Sequence, residues 1–366
     1  MIREKNPKMK TDTVLLILVL LLAVFGLIML FSISEYNGRV RFGDSAYYFK
    51  KQLFATALGL MAMYIVAEMD YRFFVGLAPA AYLLSMALST AVLLVGQEIN
   101  GSKRWLNFGP LSFQPSEFAK VAVILFLTWQ IEKSRKKTAG FWFMCRTMMT
   151  LLPIVGLVGT NNLSTAIIIL GIGVVLIFVS DPGYARFIGM GAAGVAVIAV
   201  FLAAESYRLE RLAIWRNPEK YEKGFQTIQG LYAIGSGGIF GRGFGSSLQK
   251  LGFVPEAQND MIFSIICEEL GLFGAIAIIL MFVMLIWRLM VIANNAPDLF
   301  GALLVVGVMG HMAIQVILNI AVVTATIPNT GISLPFISYG GTAVLFQLAE
   351  IGIVLNVAKK IPLKDA

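Results

Sequence analysis

Ten apolar segments constrain what this chain can fold into. A helix needs roughly 20 apolar residues to cross the hydrocarbon core of a bilayer. Candidates of about this length, the second and fifth of them short, occupy 13–34, 52–67, 74–95, 115–131, 146–160, 164–180, 187–204, 261–287, 299–323 and 339–357. Charged residues make up only 14% of the chain, against about 25% in soluble domains. We therefore predict an all-α, polytopic membrane protein in which residues 1–366 form one integral membrane domain.

The distribution of Lys and Arg predicts that both termini are cytoplasmic. Ten spans place the two termini on the same side of the membrane. With the N-terminus inside, 15 Lys and Arg fall in cytoplasmic segments and six in the short external loops, as expected because positive residues accumulate in cytoplasmic loops. The long loop 205–260 is then external. The same asymmetry accounts for the net charge of +8, so we do not expect nucleic acid binding.

Acidic and amide residues concentrate where the eighth span begins. The segment Val254–Gly271 starts with polar residues and turns apolar from Met261. At 100° per residue, Asp260 shares one face with small and polar residues, namely Ser264, Cys267, Gly271 and Gly274. A carboxylate turned inward at the membrane surface is placed to act as a general base or to bind a cation. A helix-capping Asp is an equally good interpretation of the spacing.

Other polar residues lie within the spans. Glu117 and Lys120 stand at i and i+3, which favours an ion pair within one helix, although Lys120 could instead face a cavity and meet a phosphate. For Glu268 and Glu269 we predict structural pairing or protonation inside the bundle. The ninth span carries a polar stripe typical of helix–helix contacts; it consists of Gly307, His311, Gln315 and Asn319.

Glycine and basic residues mark the external segments. The cluster from Gly235 to Gly245 lacks the Lys-Ser/Thr ending of a phosphate-binding loop, which leaves close backbone packing or a flexible lid. The external segments contain more Lys and Arg, among them Arg104 and Arg211, than the membrane orientation explains. They suit anionic lipid headgroups or, more specifically, a lipid diphosphate.

Several motifs occur in one order along the chain: Asn100–Trp105, Phe113–Lys120, Gly224–Gln226, Gln229–Gly235, Pro255–Asp260, Glu268–Gly271 and Pro335–Gly341. Together they resemble the SEDS family (shape, elongation, division and sporulation), which includes FtsW, RodA and SpoVE. The resemblance covers nearly the whole chain, and the run Ala296–Leu299 and the segment Ile314–Thr324 look closest to the FtsW and SpoVE branch.

The resemblance implies a polytopic enzyme of the bacterial cytoplasmic membrane with ten spans and cytoplasmic termini. Members of the family polymerise peptidoglycan from lipid II outside the membrane, where the growing undecaprenyl-diphosphate-linked glycan is transferred to the GlcNAc 4-hydroxyl. They act beside a class B penicillin-binding protein. By resemblance, Asp260 matches the acid regarded as catalytic, Glu117 and Lys120 match cavity residues, and Arg104 matches an external arginine.

Further candidate site residues follow from this reaction. We expect Arg211, like Lys120 and Arg104, to stabilise a leaving diphosphate, and we include Glu256, Gln258 and Ser338 as substrate-binding candidates. Asp260 or Glu256 could ligate a divalent cation, magnesium or manganese.

One residue departs from the family pattern. The hairpin between the fifth and sixth spans usually carries an Asp where this chain has Asn162. Two other functions stay open: a transporter that flips lipid II, which spacing alone favours, and a non-catalytic scaffold for the penicillin-binding partner.

Overall fold

The computed structural model describes residues 11–99, 102–108, 111–134, 140–180 and 206–361, together with positions 183, 188–189, 191–192, 194–196 and 199–200. Half of the predicted seventh span, 187–204, therefore lies outside the described residues.

The described chain is mainly helical, with one small sheet. The helices are α1 (Thr13–Phe42), α2 (Tyr47–Glu68), α3 (Phe73–Val95), α4 (Pro115–Ser134), α5 (Phe141–Asn161), α6 (Leu163–Ser180), α7 (Ser206–Arg216), α8 (Phe225–Gly237), α9 (Ile262–Asn295), α10 (Leu299–Val323) and α11 (Gly341–Lys359). Between α3 and α4, the strands β1 (Gln97–Ile99), β2 (Ser102–Phe108) and β3 (Leu111–Phe113) form an antiparallel sheet in that order.

Seven helices in the described part of the chain are long and apolar enough to cross a membrane: α1, α3, α5, α6, α9, α10 and α11. These helices confirm a polytopic helical membrane protein. Helices α2 and α4 occupy the second and fourth predicted spans but carry more polar residues, and the count of ten spans stays a prediction. The predicted tight hairpin between the fifth and sixth spans is confirmed, since Asn162 alone separates α5 from α6.

Helix α1 shows why these segments suit a bilayer. It is apolar on every side, but only one face is buried in the protein. Its outward face carries exposed aliphatic side chains spaced by three or four residues, namely Val14, Ile17, Leu21, Val24 and Ile28. A soluble helix has a polar outer face, so this stripe is suited to lipid. Helix α10 occupies the centre of the bundle and packs against α4, α6, α9 and α11.

Ion pairs connect the helices at the end of the bundle where α1 begins and α11 ends. The Asp12 carboxylate caps α1 and accepts hydrogen bonds of 3.0, 2.9 and 2.6 Å from the Arg288 guanidinium in the C-terminal part of α9. Asp298 caps α10 and accepts from Arg72, at 3.0 Å, and from the Tyr71 hydroxyl. The predicted site lies at the opposite end.

The glycine-rich loop after α8 folds back onto α9. A Cβ atom on Gly241 would lie 2.2 Å from the carbonyl oxygen of Glu269, and the φ of Gly241 is +77°. Close backbone packing, rather than a lid, is therefore the role of this glycine.

The same loop supplies the partners of the two glutamates of α9, as predicted. The Glu268 carboxylate accepts from the backbone amides of Leu248 and Gln249. Glu269 pairs with the Lys250 ammonium at 2.8 Å. Both glutamates are fully buried, so their partners are what makes the location tolerable.

We expect Gly241→Ala to lower the free energy of unfolding by at least about 2 kcal/mol, because the new methyl group meets backbone and the positive φ strains any L residue. Gly76→Ala is the matched control: its Cβ would have nothing within 4 Å, and alanine favours a helix by up to about 1 kcal/mol over glycine. Thermal unfolding in detergent measures both. Equal melting temperatures for the two variants would contradict the tight packing of Gly241.

Candidate active site

Asp260 lies in a turn before α9 and not on the helix itself. The cap residue of α9 is Met261, which makes no side-chain capping hydrogen bond, and the helix is interrupted at Gly271, with φ 66° and ψ −163°. The helix-capping interpretation of Asp260 is therefore wrong, and the helical projection from Asp260 to Gly274 does not hold across this kink. The inward orientation is confirmed, since Asp260 is only 7% exposed.

Three segments hold the turn that contains Asp260. From α10, the Asn319 amide donates to the carbonyl oxygen of Asp260 at 2.9 Å. From α8, the Gln226 amide lies 3.5 Å from Oδ1 of Asp260 and donates to the carbonyl of Pro255 at 3.2 Å. The irregular loop between α10 and α11 closes the third side, where Gly331 faces Oδ2.

The surroundings of Asp260 favour its neutral form. Burial raises the pKa of Asp260 to about 7, and the nearby negative charge of Glu256 adds to the rise, while Arg211 and backbone hydrogen bonds oppose it. A carboxyl group with a pKa near the working pH is well matched to general base catalysis, since it is available deprotonated and can hold a proton.

Glu256, Gln258 and Ser338 lie close to Asp260, but their polar atoms are engaged within the protein. Glu256 pairs with Arg41 at 3.4 Å and accepts from the amides of Asn259 and Gln258 at 2.6 and 3.2 Å. The Ser338 hydroxyl accepts from the backbone amide of Leu334 at 2.7 Å. Gln258 is 1% exposed and Ser338 is 3% exposed. These contacts suit residues that shape the turn.

The predicted ion pair between Glu117 and Lys120 is present. The Lys120 ammonium lies 2.9 Å from Oε2 of Glu117 and donates to Oε1 of Gln315 at 3.1 Å. Lys120 is 1% exposed. Gln315 and Asn319 are one helical turn apart on α10, so this helix connects the ion pair to Asp260.

Arg104 and Asn162 line a small cavity beside the hairpin between α5 and α6. The Arg104 guanidinium donates to the carbonyl of Asn161 at 2.9 Å, and Oδ1 of Asn162 accepts from the backbone amide of Thr165 at 3.2 Å, which caps α6. This cavity has a volume of about 20 Å³, with room for about one water molecule. Ser164, two residues after Asn162, connects α6 to the loop between α10 and α11. Its hydroxyl donates to the carbonyl of Thr330 in that loop.

Sequence reasoning missed Asn329, which joins its own loop to α7 and α8 near Asp260. Its amide donates to Oε1 of Gln226 at 2.9 Å, its own side-chain oxygen accepts from the amide of Gly331, and its carbonyl accepts from Arg211 at 3.2 Å. The only signal for Gln226 was its place in the motif Gly224–Gln226.

A second cavity, of about 420 Å³, is lined by residues of α8, α9 and the glycine-rich loop and shares no lining residue with the Asp260 site.

Asp260 and Glu256, the two predicted metal ligands, differ in whether their carboxylate oxygens are free to bind a cation. In the described part of the chain, no three His, Cys, Asp or Glu side chains converge. Both oxygens of Glu256 are committed to Arg41, Gln258 and Asn259, so Glu256 does not fit as a ligand. Asp260 does fit, because magnesium is often held by one carboxylate together with phosphate oxygens of the substrate.

Comparison with known proteins decides the family. A family model described as "Cell cycle protein", covering FtsW, RodA and SpoVE, matches residues 12–362. The chain belongs to the FtsW/RodA/SpoVE family. It is 38% identical to the stage V sporulation protein E of Bacillus subtilis, over 97% of this chain and 98% of that protein. It is 35% identical to a probable peptidoglycan glycosyltransferase FtsW of Trichlorobacter lovleyi, over 95% and 93% of the two chains.

Solved structures share this fold. One is a chain of a peptidoglycan synthase complex that coordinates polymerization and crosslinking; the TM-score is 0.81 at 29% identity, over 97% of this chain and 99% of that chain. Another is the rod shape determining protein RodA of Thermus thermophilus, with a TM-score of 0.73 at 28% identity, over 97% and 98% of the two chains. These similarities confirm the resemblance stated from the motifs.

The role of Asn162 as a helix cap predicts how this position responds to change. Asn162→Asp keeps the capping oxygen and adds a negative charge at the N-terminus of α6, so we expect a gain of about 0.3–1 kcal/mol in the free energy of unfolding. Asn162→Ala removes the cap and should lose about 1 kcal/mol. Thermal unfolding of both variants tests this, and an unchanged melting temperature in Asn162→Ala would contradict the capping role.

Proposed function

We propose that this protein is a peptidoglycan glycosyltransferase that transfers a growing lipid-linked glycan onto the GlcNAc 4-hydroxyl of lipid II. The observation that carries the proposal is Asp260, a buried carboxyl group with a pKa raised to about 7, held by three segments at one end of a membrane-embedded bundle. Family membership supplies the reaction class, and the chemistry of Asp260 fits it.

Asp260 acts as the general base in this proposal. The acceptor presents its sugar 4-hydroxyl to the carboxylate, which removes the proton as the oxygen attacks the anomeric carbon of the growing glycan. The bond from that carbon to the diphosphate breaks, and undecaprenyl diphosphate leaves. Asp260 then releases the proton to water. One new glycosidic bond replaces one glycosyl phosphate bond, so the reaction requires no oxidant or reductant.

Positive charges stabilise the leaving diphosphate. Lys120, Arg104 and Arg211 are the candidates, since cations positioned where negative charge develops contribute strongly to catalysis. Glu117 holds Lys120, and Arg104 and Arg211 are anchored on backbone carbonyls that lead to the Asp260 turn. Bound at Asp260 together with diphosphate oxygens, a magnesium or manganese ion would neutralise part of the same charge.

The proposal places Asp260 at the outer face of the bacterial cytoplasmic membrane, with both termini in the cytoplasm. The Lys and Arg asymmetry supports this orientation. The pairs Asp12–Arg288 and Arg72–Asp298 lie at the other end of the bundle. We further propose that the partner is a class B penicillin-binding protein, which cross-links the new strands, as the similarity to a chain of a peptidoglycan synthase complex suggests.

The test is a polymerisation assay with the purified protein and its penicillin-binding partner reconstituted in vesicles with lipid II. We expect glycan polymer that depends on this protein. Transbilayer movement of lipid II without polymer would replace the proposal with a flippase. Polymer formed equally well in the absence of this protein would leave it a scaffold.

A further inference from the structure

A chain of five polar side chains crosses the centre of the bundle, from α11 through α10 to α4. Oε2 of Glu350 lies 2.7 Å from Nδ1 of His311, and Nε2 of His311 lies 2.8 Å from Oε1 of Gln315. The same oxygen of Gln315 accepts from the Lys120 ammonium at 3.1 Å, and Lys120 pairs with Glu117 at 2.9 Å. Four of these side chains are no more than 1% exposed, and Glu117 is 7% exposed.

The partners of Gln315 fix the orientation of its amide. Its NH2 group donates to the carbonyl oxygen of Ser333 at 3.0 Å. The reverse orientation would set the amide oxygen against that carbonyl and the NH2 group against the Lys120 ammonium. Oε1 of Gln315 is therefore the acceptor for both Lys120 and His311. It follows that Nε2 of His311 carries a proton.

His311 and Glu350 must then share one further proton. A separation of 2.7 Å between Nδ1 and Oε2 is a hydrogen bond, so a proton lies between the two atoms. The pair is either imidazolium with carboxylate or imidazole with carboxylic acid, and both forms have zero net charge. Loss of this proton would leave a net negative charge and two facing lone pairs inside the membrane, where uncompensated charge is expensive.

We propose that His311 and Glu350 are positioning residues for Lys120. The shared proton keeps Nε2 of His311 a donor to Gln315, and this hydrogen bond fixes the Gln315 oxygen that holds the Lys120 ammonium beside Glu117. The inference rests on the proposed function, in which Lys120 stabilises the leaving diphosphate. One turn along the same face of α10, Asn319 holds the carbonyl of Asp260, so one stripe of α10 supports both the base and the cation.

The test uses His311→Leu/Glu350→Leu, which removes both partners at once. Replacing a buried polar pair with apolar residues of similar size is often neutral for stability, so we expect the double variant to unfold near the wild-type temperature. We also expect its kcat for lipid II polymerisation to fall about tenfold with little change in KM, as for a group that loses its alignment with developing charge. His311→Leu alone should melt earlier, because it leaves the Glu350 carboxyl group buried without its partner.

Glu350→Gln is the conservative variant. Its amide can donate to Nδ1 of His311 and keep the proton on Nε2, so we expect kcat within about threefold of wild type. A wild-type kcat in the double leucine variant would overturn the inference. A loss of kcat in Glu350→Gln as large as in the double variant would also overturn it, since the charge and not the hydrogen bond would then matter.

A Lys120 variant separates this inference from the proposed function. If Glu117→Gln/Lys120→Met is inactive while the double leucine variant retains its wild-type kcat, only the positioning role fails. If Glu117→Gln/Lys120→Met itself polymerises at the wild-type rate, the proposed role of Lys120 fails, whatever the His311 variants do.

Discussion

Asp260→Asn should abolish polymerisation of lipid II, with a fall in kcat of about 100- to 10,000-fold, the range for loss of a general base. Asparagine has the same shape, its Oδ1 can still accept from the backbone amides of Asp260 and Met261, and the side-chain contact with Gln226 is a weak one of 3.5 Å, so the turn should keep its structure. The measurement is the polymerisation rate of the purified variant with its penicillin-binding partner and lipid II. A normal rate would remove Asp260 as the base.

The same substitution should stabilise the protein above neutral pH. The pKa of Asp260 is raised from its ordinary value of 3.8 to about 7. Between pH 3.8 and about 7, Asp260 keeps its proton in the folded protein and has lost it in the unfolded chain. The contribution of this proton to the free energy of unfolding is therefore complete below pH 3.8 and is lost as the pH rises to about 7. The loss is at most about 4 kcal/mol. Asparagine does not ionise and avoids this loss, so Asp260→Asn should melt later than wild type at pH 8.

The pH dependence of the wild-type rate follows from the same group. Only the deprotonated carboxylate accepts a proton, so kcat/KM should rise with pH through about 7 and then level off. The remaining activity of Asp260→Asn should lack this transition. A rise of kcat/KM centred near pH 4 would contradict the raised pKa of Asp260, because kcat/KM reports the free enzyme.

Local patterns in the sequence were sufficient for part of this site. The i, i+3 spacing identified the ion pair of Glu117 with Lys120 because both residues lie on one helix. The crowding of polar residues before an apolar run identified Asp260 for a similar reason. Hydropathy identified most of the described spans, because lipid requires a long apolar segment wherever a helix crosses.

Contacts between distant segments were beyond these patterns. Gln226 and Asn329 meet across 103 residues, and His311 and Glu350 across 39. The periodicity of a helix shows which of its faces is buried, but not which other segment packs against that face. The start of α9 after Asp260 depends on the turn that precedes it, and the kink at Gly271 depends on the backbone of Gly241, which lies 2.3 Å from where a Cβ atom would stand. Neither is a local property of the helix sequence.

Lys120→Met should abolish polymerisation and also destabilise the fold. It leaves the Glu117 carboxylate buried without its partner, which costs about 3–5 kcal/mol. The loss of activity in this single variant is therefore ambiguous, since an unfolded protein is also inactive. Thermal unfolding in detergent, measured beside the polymerisation rate, shows how much of the protein remains folded.

Glu117→Gln/Lys120→Met resolves the ambiguity. A neutral amide and an apolar chain of similar length replace the pair, so no unpaired charge remains, and stability should return to within about 1 kcal/mol of wild type. The polymerisation rate should nevertheless stay about 100- to 1,000-fold below wild type, as expected when a cation aligned with developing charge is removed. A folded double variant that polymerises normally would show that the ion pair serves the fold alone. A folded and inactive one would show that the pair of Glu117 and Lys120 serves the reaction itself, because unfolding could not then account for the loss of activity.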